Sequence, residues 1–516
     1  MNKYKSLLAA LVLGAGFTSC NDFLDTLPDR RADINSAEQI RTLLVSAYPE
    51  FLRGGFTEQR TDNVTDRGSE FNPGRGSLVQ ENYFWQPVTT VSQDTPNAFW
   101  TGQYKALSHA NYAMEAIEKQ GGIKANPKFA ALMGEALLCR AHANYSLVTT
   151  FAQAYNSQTS NTDLGIPLFT DIERNLSSVS TQRVPVAQNF AQIAEDIEAG
   201  FPLLDDSSYG SNVIKYHFNR RAAAAFAAEF YLAYEKPEKA LVYANIALGD
   251  NPQAELRNWT VFGKLPNVED RLRRYITIEE PANLFMLPAT TNLIINLFNE
   301  RYAHSTALAK AQTVDSPGPW GAQLPHFEGQ MFGRGMNYLP KIFYIFVYDN
   351  VQAGTGLNHG VYVIYTVDKA LLARAEAYTL MEQYDKAAAD LSMWYKSKGA
   401  TKQPTAQQIA DFYDPEKYVG EKKENMLKTL AKPLNPRFAK PLQAGLQTGL
   451  IQAVLHARRI ETLHEGTRWD DIKRYGIRIE HEVSGGTPVV LEEHDLRKAI
   501  QIPEAISSRG VAPNPR

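Results

Sequence analysis

The chain is poor in cysteine, with 2 among 516 residues, Cys20 and Cys139. Two thiols cannot make a disulfide framework, and a lipid on one of them excludes even a single bridge. Charge of one sign is also missing. The 53 Lys and Arg against 56 Asp and Glu give a net charge of −3, and removal of Lys3 and Lys5 with a cleaved leader lowers it to −5. Nothing in that balance favours a polyanion such as nucleic acid. After the first residues no stretch is apolar enough to span a bilayer, which takes about 20 residues.

Catalytic motifs are absent as well. His464-Glu465 runs into Gly466-Thr467-Arg468, and neither it nor His481-Glu482 has the second histidine of a zinc-protease motif. Gly333-Arg334-Gly335 and Gly354-Thr355-Gly356 lack the third glycine of a dinucleotide loop, and no lysine-bearing phosphate loop or serine elbow occurs. No cofactor or metal is expected, and no enzyme. Carboxylates are plentiful, and a glycosidase pair is defined by a spatial separation that sequence does not show. A surface hydrolase therefore stays as the alternative of a different class.

What is present begins at the N-terminus. Lys3 and Lys5 precede an apolar run from Leu7 to Phe17, and Thr18-Ser19 lead into Cys20. This is the layout of a lipoprotein signal peptide over residues 1–19, with Cys20 as the acylated first residue of the mature chain. Lipid at about 0.8 kcal/mol per buried CH₂ would hold the protein on a membrane without a spanning segment. Residues 20–35 then form a tether. Cys139, inside the helix-like run Ala136 to Ala141, reads as a small buried hydrophobe.

Helical periodicity starts at Ser36, an N-cap with Gln39 three residues on, and continues to Phe51. Residues Arg53 to Gln93, with five glycines, read as a long ordered loop. Helices follow over Pro96 to Ile117 and Phe129 to Phe151, joined across Gly121-Gly122, and then over Val186 to Leu204 and Arg221 to Leu248. Ala228, Tyr231, Ala240, Ala247 and Pro252 fit a tetratricopeptide-type helix pair, in which small residues let two helices approach. Ala375 and Tyr378 stand as far from Ala387 as Ala228 and Tyr231 from Ala240. The copies are 147 residues apart (378 minus 231), so a large insertion, residues 251–361, interrupts the scaffold. It is rich in Pro, Gly and aromatics, which run from Trp259 to Tyr348. The fold expected is mainly α, one domain over 36–516, with scaffold at about 36–250 and 362–516. Between Ala457 and Arg474 charges recur three or four apart, as Arg458 with Glu461, Glu465 with Arg468 and Asp470 with Arg474. They read as a helix pair bound into the core by ion pairs, with Trp469 as packing.

These pieces together resemble the SusD/RagB family of outer-membrane nutrient-binding lipoproteins. The resemblance rests on Cys20-Asn21-Asp22-Phe23-Leu24-Asp25, Trp100 with Tyr104 and Asn111, and Glu135 with Arg140-Ala141. It rests further on Ala373-Arg374-Ala375-Glu376-Ala377-Tyr378, on Arg459-Ile460-Glu461 to Glu465-Gly466-Thr467-Arg468-Trp469-Asp470, and on Ile502-Pro503-Glu504. The tail Pro513-Asn514-Pro515-Arg516 departs from the family's pattern by lacking Gly and an aromatic after Asn-Pro. The resemblance implies a helical scaffold with tetratricopeptide-like pairs on the surface of a Gram-negative cell, and a SusC-like TonB-dependent transporter as partner. It implies an oligosaccharide ligand in most members and an oligopeptide in some. The motif residues themselves are scaffold, and ligand contacts come from variable loops. On that reading flat sugar faces stack on Tyr83, Trp85, Trp320 and Phe327, with Arg75 and Asn82 as polar partners.

Overall fold

Ser36 opens the first helix, α1 (Ala37–Val45), through the expected capping box. Its hydroxyl accepts from the Gln39 N–H at 3.2 Å while the Gln39 side chain accepts from the Ser36 N–H at 3.1 Å. The computed structural model describes residues 34, 36–71, 77–172, 180–297, 300–325, 335–417 and 423–516. Cys20 and the signal and tether residues 1–33 lie outside them.

The expected loop after Arg53 is instead built of short elements. A helical turn Gly54–Thr57, a 3₁₀ turn Glu58–Arg60, strand β1 (Thr65–Asp66) and helix α2 (Ser77–Tyr83) carry mostly buried side chains. Buried polar contacts hold it: the Arg60 guanidinium donates to the Asn82 side chain at 2.8 Å and to the Gln86 carbonyl at 2.9 Å. Gly54 and Gly55 serve close packing. A Cβ on Gly54 would lie 3.1 Å from the Glu465 carbonyl oxygen.

Two long helices follow, α3 (Pro96–Lys119) and α4 (Ala130–Phe151), packed on each other across Gly121 and Gly122, whose φ values of 92° and 70° suit glycine. Helix α5 (Val186–Gly200) packs on α4 and continues as the 3₁₀ turn Phe201–Leu203. Cys139 on α4 is buried, and burial pushes its thiol well above the usual range.

The repeat is real in three dimensions. Helices α6 (Arg220–Ala233) and α7 (Pro237–Leu248) form one pair, α8 (Val367–Leu380) and α9 (Tyr384–Ser397) the next, and α7 packs directly on α8. Ala228, Ala240, Ala375 and Ala387 are all fully buried where the helices approach. The turns match too. Glu235 and Glu382, again 147 residues apart (382 minus 235), are the left-handed residues between the helices of their pairs, with φ of 56° and 61°. Helices α10 (Ala406–Phe412), α11 (Leu446–Glu461) and α12 (Arg468–Arg474) complete the frame, with α11 against α8 and α9.

The insertion contributes the antiparallel sheet β2 (Asn283–Thr290), β5 (Thr355–Thr366) and β4 (Tyr344–Asn350), in the order β2-β5-β4. Strand β3 (Tyr302–Ala303) pairs with β1, and near the C-terminus β6 (Ile479–His481) pairs with β7 (Val489–Leu491). The departing C-terminal tail is nonetheless seated, since the Asn514 amide donates to the carbonyls of Phe151 at 2.9 Å and Ile500 at 2.7 Å. Among the described residues no helix is long and apolar enough to cross a membrane.

Candidate functional site

The residues expected to form a sugar platform are packed inside. Asn82 and Tyr83 are 0% exposed, Trp85 2% and Trp320 4%. Tyr83 and Trp85 stack on the His481 ring at centroid distances of 4.2 and 4.3 Å, and the Trp85 indole N–H donates to the Arg60 carbonyl at 2.9 Å. Trp320 lies against Trp394, Tyr395 and His456. All six tryptophans of the chain are buried. A ring without an open face cannot stack on a sugar, so Asn82, Tyr83, Trp85 and Trp320 are corrected to packing residues. Arg75 and Phe327 lie outside the described residues.

The charged segment before the C-terminus forms a buried ionic hub, with partners other than those its spacing suggested. Helix α11 ends at Glu461 and the chain turns before α12 begins at Arg468; Arg458 and Glu461 share α11, and Asp470 and Arg474 share α12, but each takes a partner from another element. Arg458 pairs with Glu376 and, at 2.7 Å, with Asp471; Arg474 pairs with Glu376 at 2.8 Å. Glu465 receives Lys341 at 2.8 Å and Lys369 at 2.5 Å, and the Asp470 carboxylate receives Arg53 at 3.0 Å. Glu461 receives Lys398 at 2.9 Å and the Trp394 indole N–H at 3.0 Å. Asp62 accepts from Arg468 at 3.0 and 3.1 Å and from Lys432 at 2.6 Å. Burial alone would raise the Asp62 carboxyl, but Arg459, Arg468 and Lys432 reverse that and hold it well below the usual carboxylate range.

Gly466 sits where this hub touches the N-terminal segment. Its φ is +76°, and a Cβ there would fall 2.0 Å from the Thr57 hydroxyl oxygen and 2.9 Å from Gly54 Cα. Its N–H and that of His464 donate to the Glu58 carboxylate at 2.9 Å each. The other motif residues behave alike: Arg140 clasps Asp196 at 2.6 and 2.9 Å and donates to the Asn111 side-chain oxygen Oδ1 at 3.2 Å. These groups are occupied with one another and hold the frame together. Beside the hub lies a cavity of about 150 Å³ lined by Arg53, Tyr145, Glu229, Lys369 and Asp470. Burial, with Asp470 adding, raises the Glu229 carboxyl above its ordinary range. Among the described residues no three or more His, Cys, Asp or Glu are placed to hold a metal ion.

Open aromatic surface lies elsewhere, on the β4–β5 hairpin. Among the described residues the exposed aromatic rings are Phe346 at 44% and Tyr348 at 55%, in T-shaped contact at 4.9 Å. The register opposes Tyr344 to Gly360, Phe346 to Asn358 and Tyr348 to Gly356. Cross-strand partners share a face, so one face of the hairpin carries two open rings flanked by small residues and the Asn358 amide. Asn358 is steadied by donating to the Asn292 side chain at 2.8 Å, and the hairpin base by the Ile294 N–H donating to the Tyr344 hydroxyl at 2.8 Å. This arrangement can present flat apolar faces beside an amide.

The architecture is thus a frame of tetratricopeptide-like helix pairs with a buried ionic hub inside and an aromatic hairpin held outside. Over residues 22–232, less than half of the chain, the sequence matches a SusD-like family model described as starch-binding and associating with the outer membrane. A SusD superfamily protein from Bacteroides thetaiotaomicron is similar in structure at 17% identity and a TM-score of 0.58, over 93% of this chain and 99% of that one. One from Bacteroides fragilis gives 17% and 0.60 over 92% and 98%. A SusD-like carbohydrate binding protein from Bacteroides vulgatus gives 13% and 0.51 over 89% of each chain. At such identities the likeness is one of fold. No curated protein matches the sequence.

Proposed function

We propose that this protein is a cell-surface lipoprotein, acylated at Cys20, that captures an oligosaccharide without cleaving it and delivers it to a SusC-like TonB-dependent transporter. The observation that carries the binding step is the pair of open rings Phe346 and Tyr348 beside Asn358 on a braced hairpin. The electron-rich ring faces meet the weakly positive C–H faces of a sugar, and the amide is placed for its hydroxyls. The match to a family described as starch-binding and outer-membrane-associated supports the ligand class and the location.

Calorimetry with a panel of neutral glycans tests it. Phe346→Ala and Tyr348→Ala should each lower affinity about tenfold, by the scale of single aromatic contacts, while Trp85→Phe leaves it unchanged. Unchanged affinity in both hairpin variants overturns the platform. Binding of a neutral glycan should barely respond to salt; a steep loss of affinity with rising salt points to charged peptides instead. Shortened products after prolonged incubation with polysaccharide overturn capture without cleavage. Loss of partition into detergent on Cys20→Ala checks the anchor.

A further inference from the structure

The chamber beside the hub has walls whose polar groups the frame itself does not satisfy. It lies where α3, α4, α6, α8, β5 and α12 meet, and the short side chains of Ala225, Ala370 and Ala373 leave room for its volume of about 150 Å³. None of its lining residues is exposed. Among the described residues no ion pair or hydrogen bond reaches the Glu229 carboxyl or the hydroxyls of Tyr145 and Tyr365, and all three residues line the chamber. On the same walls the buried Oε1 of Gln103 and Oδ2 of Asp471 also lack a partner. A buried polar group without a partner keeps the whole cost of its lost hydration, so five on one chamber point to an occupant that bonds them.

The charge of the walls limits what that occupant is. The cations Arg53, Lys369, Arg458 and Arg474 stand against the anions Glu229, Glu465, Asp470 and Asp471, four of each sign. Burial holds the lining His142 imidazole down to about 3, so it adds no charge at neutral pH. The cations are also engaged, Arg53 by Asp470, Lys369 by Glu465, and Arg458 and Arg474 by Glu376. An ion would bring a charge that these walls do not balance, and an apolar guest would leave the five groups unmet. The volume is that of one small ring, and with no exposed residue around it the chamber has no mouth through which a sugar could enter.

We propose that the chamber is a water site, in which about five molecules bond to Glu229, Tyr145 and Tyr365 and link them to the Arg53–Asp470 pair. Water is uncharged, both gives and takes hydrogen bonds, and passes through transient gaps that a larger guest does not. The point where helix pairs, sheet and hub meet is then joined in part through water. The same water gives Glu229 a route for its proton that does not require the frame to unfold.

Crystals of the full chain, grown from detergent, test this. Ordered solvent peaks are expected within hydrogen-bond distance of the Glu229 carboxyl and the Tyr365 hydroxyl, and xenon under pressure, which enters dry apolar cavities, should stay out. Xenon in the chamber overturns the water site, and so does a lack of solvent peaks there. Density for a larger molecule, matched by a small compound released on denaturation and seen by mass spectrometry, overturns it in favour of an organic ligand. Thermal melting of two variants gives an independent reading. Glu229→Leu, which cannot bond water, should melt several degrees below Glu229→Gln, which can; an equal or higher melting temperature for the leucine variant overturns the proposal.

Discussion

The hub around α11 and α12 and the hairpin β4–β5 invert the usual arrangement, with charges sealed inside and apolar side chains held in water. At the hub Glu376 is 0% exposed and receives Arg458, Arg474 and the Tyr475 hydroxyl, at 2.7 Å for the last. Buried ions offset their desolvation only in such closed sets, and they tie distant segments into one geometry because a displaced partner leaves a bare charge. The hairpin needs no closed set of that kind; its register and the Tyr344 anchor suffice, and its apolar area is left for something outside the molecule. Rigid interior charge and available exterior surface are thus assigned to separate parts of the chain.

The contrast is broken first at its strongest point. Glu376→Ala should cost about 3 kcal/mol in denaturant unfolding, since it removes the buried carboxylate that Arg458 and Arg474 share; a loss below about 1 kcal/mol removes the hub from the account of stability. Trp320→Ala should cost about 3 kcal/mol through its cavity, and its glycan affinity, measured on the folded fraction, should stay unchanged. Acid probes the hub's sign. Burial would raise Glu376, but Arg458 and Arg474 hold its carboxyl down to about 2, so its contribution is complete above about pH 4.5. It should be lost as pH falls towards 2, by about 3 kcal/mol. Glu229 has the opposite sign. Its raised carboxyl means that stability declines as pH rises through its folded-state range, so Glu229→Gln should flatten that decline in pH-dependent melting. The smallest effect belongs to the hairpin. Phe346→Ala and Tyr348→Ala should move stability by less than about 0.5 kcal/mol, and a larger loss means those rings are packed after all.

The same contrast explains what the sequence made legible. Local signals held: the Ser36 capping box, the Gly121-Gly122 turn and the spacing of Ala228, Tyr231 and Ala240 each depend on neighbours along the chain. The hub's membership was legible as charge density, but its partners were not, because Arg468 meets Asp62 across 406 positions. The aromatic platform was misplaced for a related reason. Tyr83 and Trp85 looked available among glycines and polar residues, yet His481, some 398 positions on from Tyr83, closes over them. Conversely Tyr344 to Tyr348, apolar at every position, has the pattern of a strand buried on both faces. Nothing local states that the tip of β4 runs beyond the core.

The bond between Asp62 and Arg468 also orders events in time. A chain made from its N-terminus presents Asp62 early, and the cations that neutralise it, Lys432, Arg459 and Arg468, come some 370 to 406 positions later. Closing loops of that length is slow and entropically costly. Until residue 468 has emerged, the segment 54–66 lacks its full set of counterions and its glycines have no backbone to pack against. The segment 54–66 therefore takes its final set of contacts only once the last helices close on it.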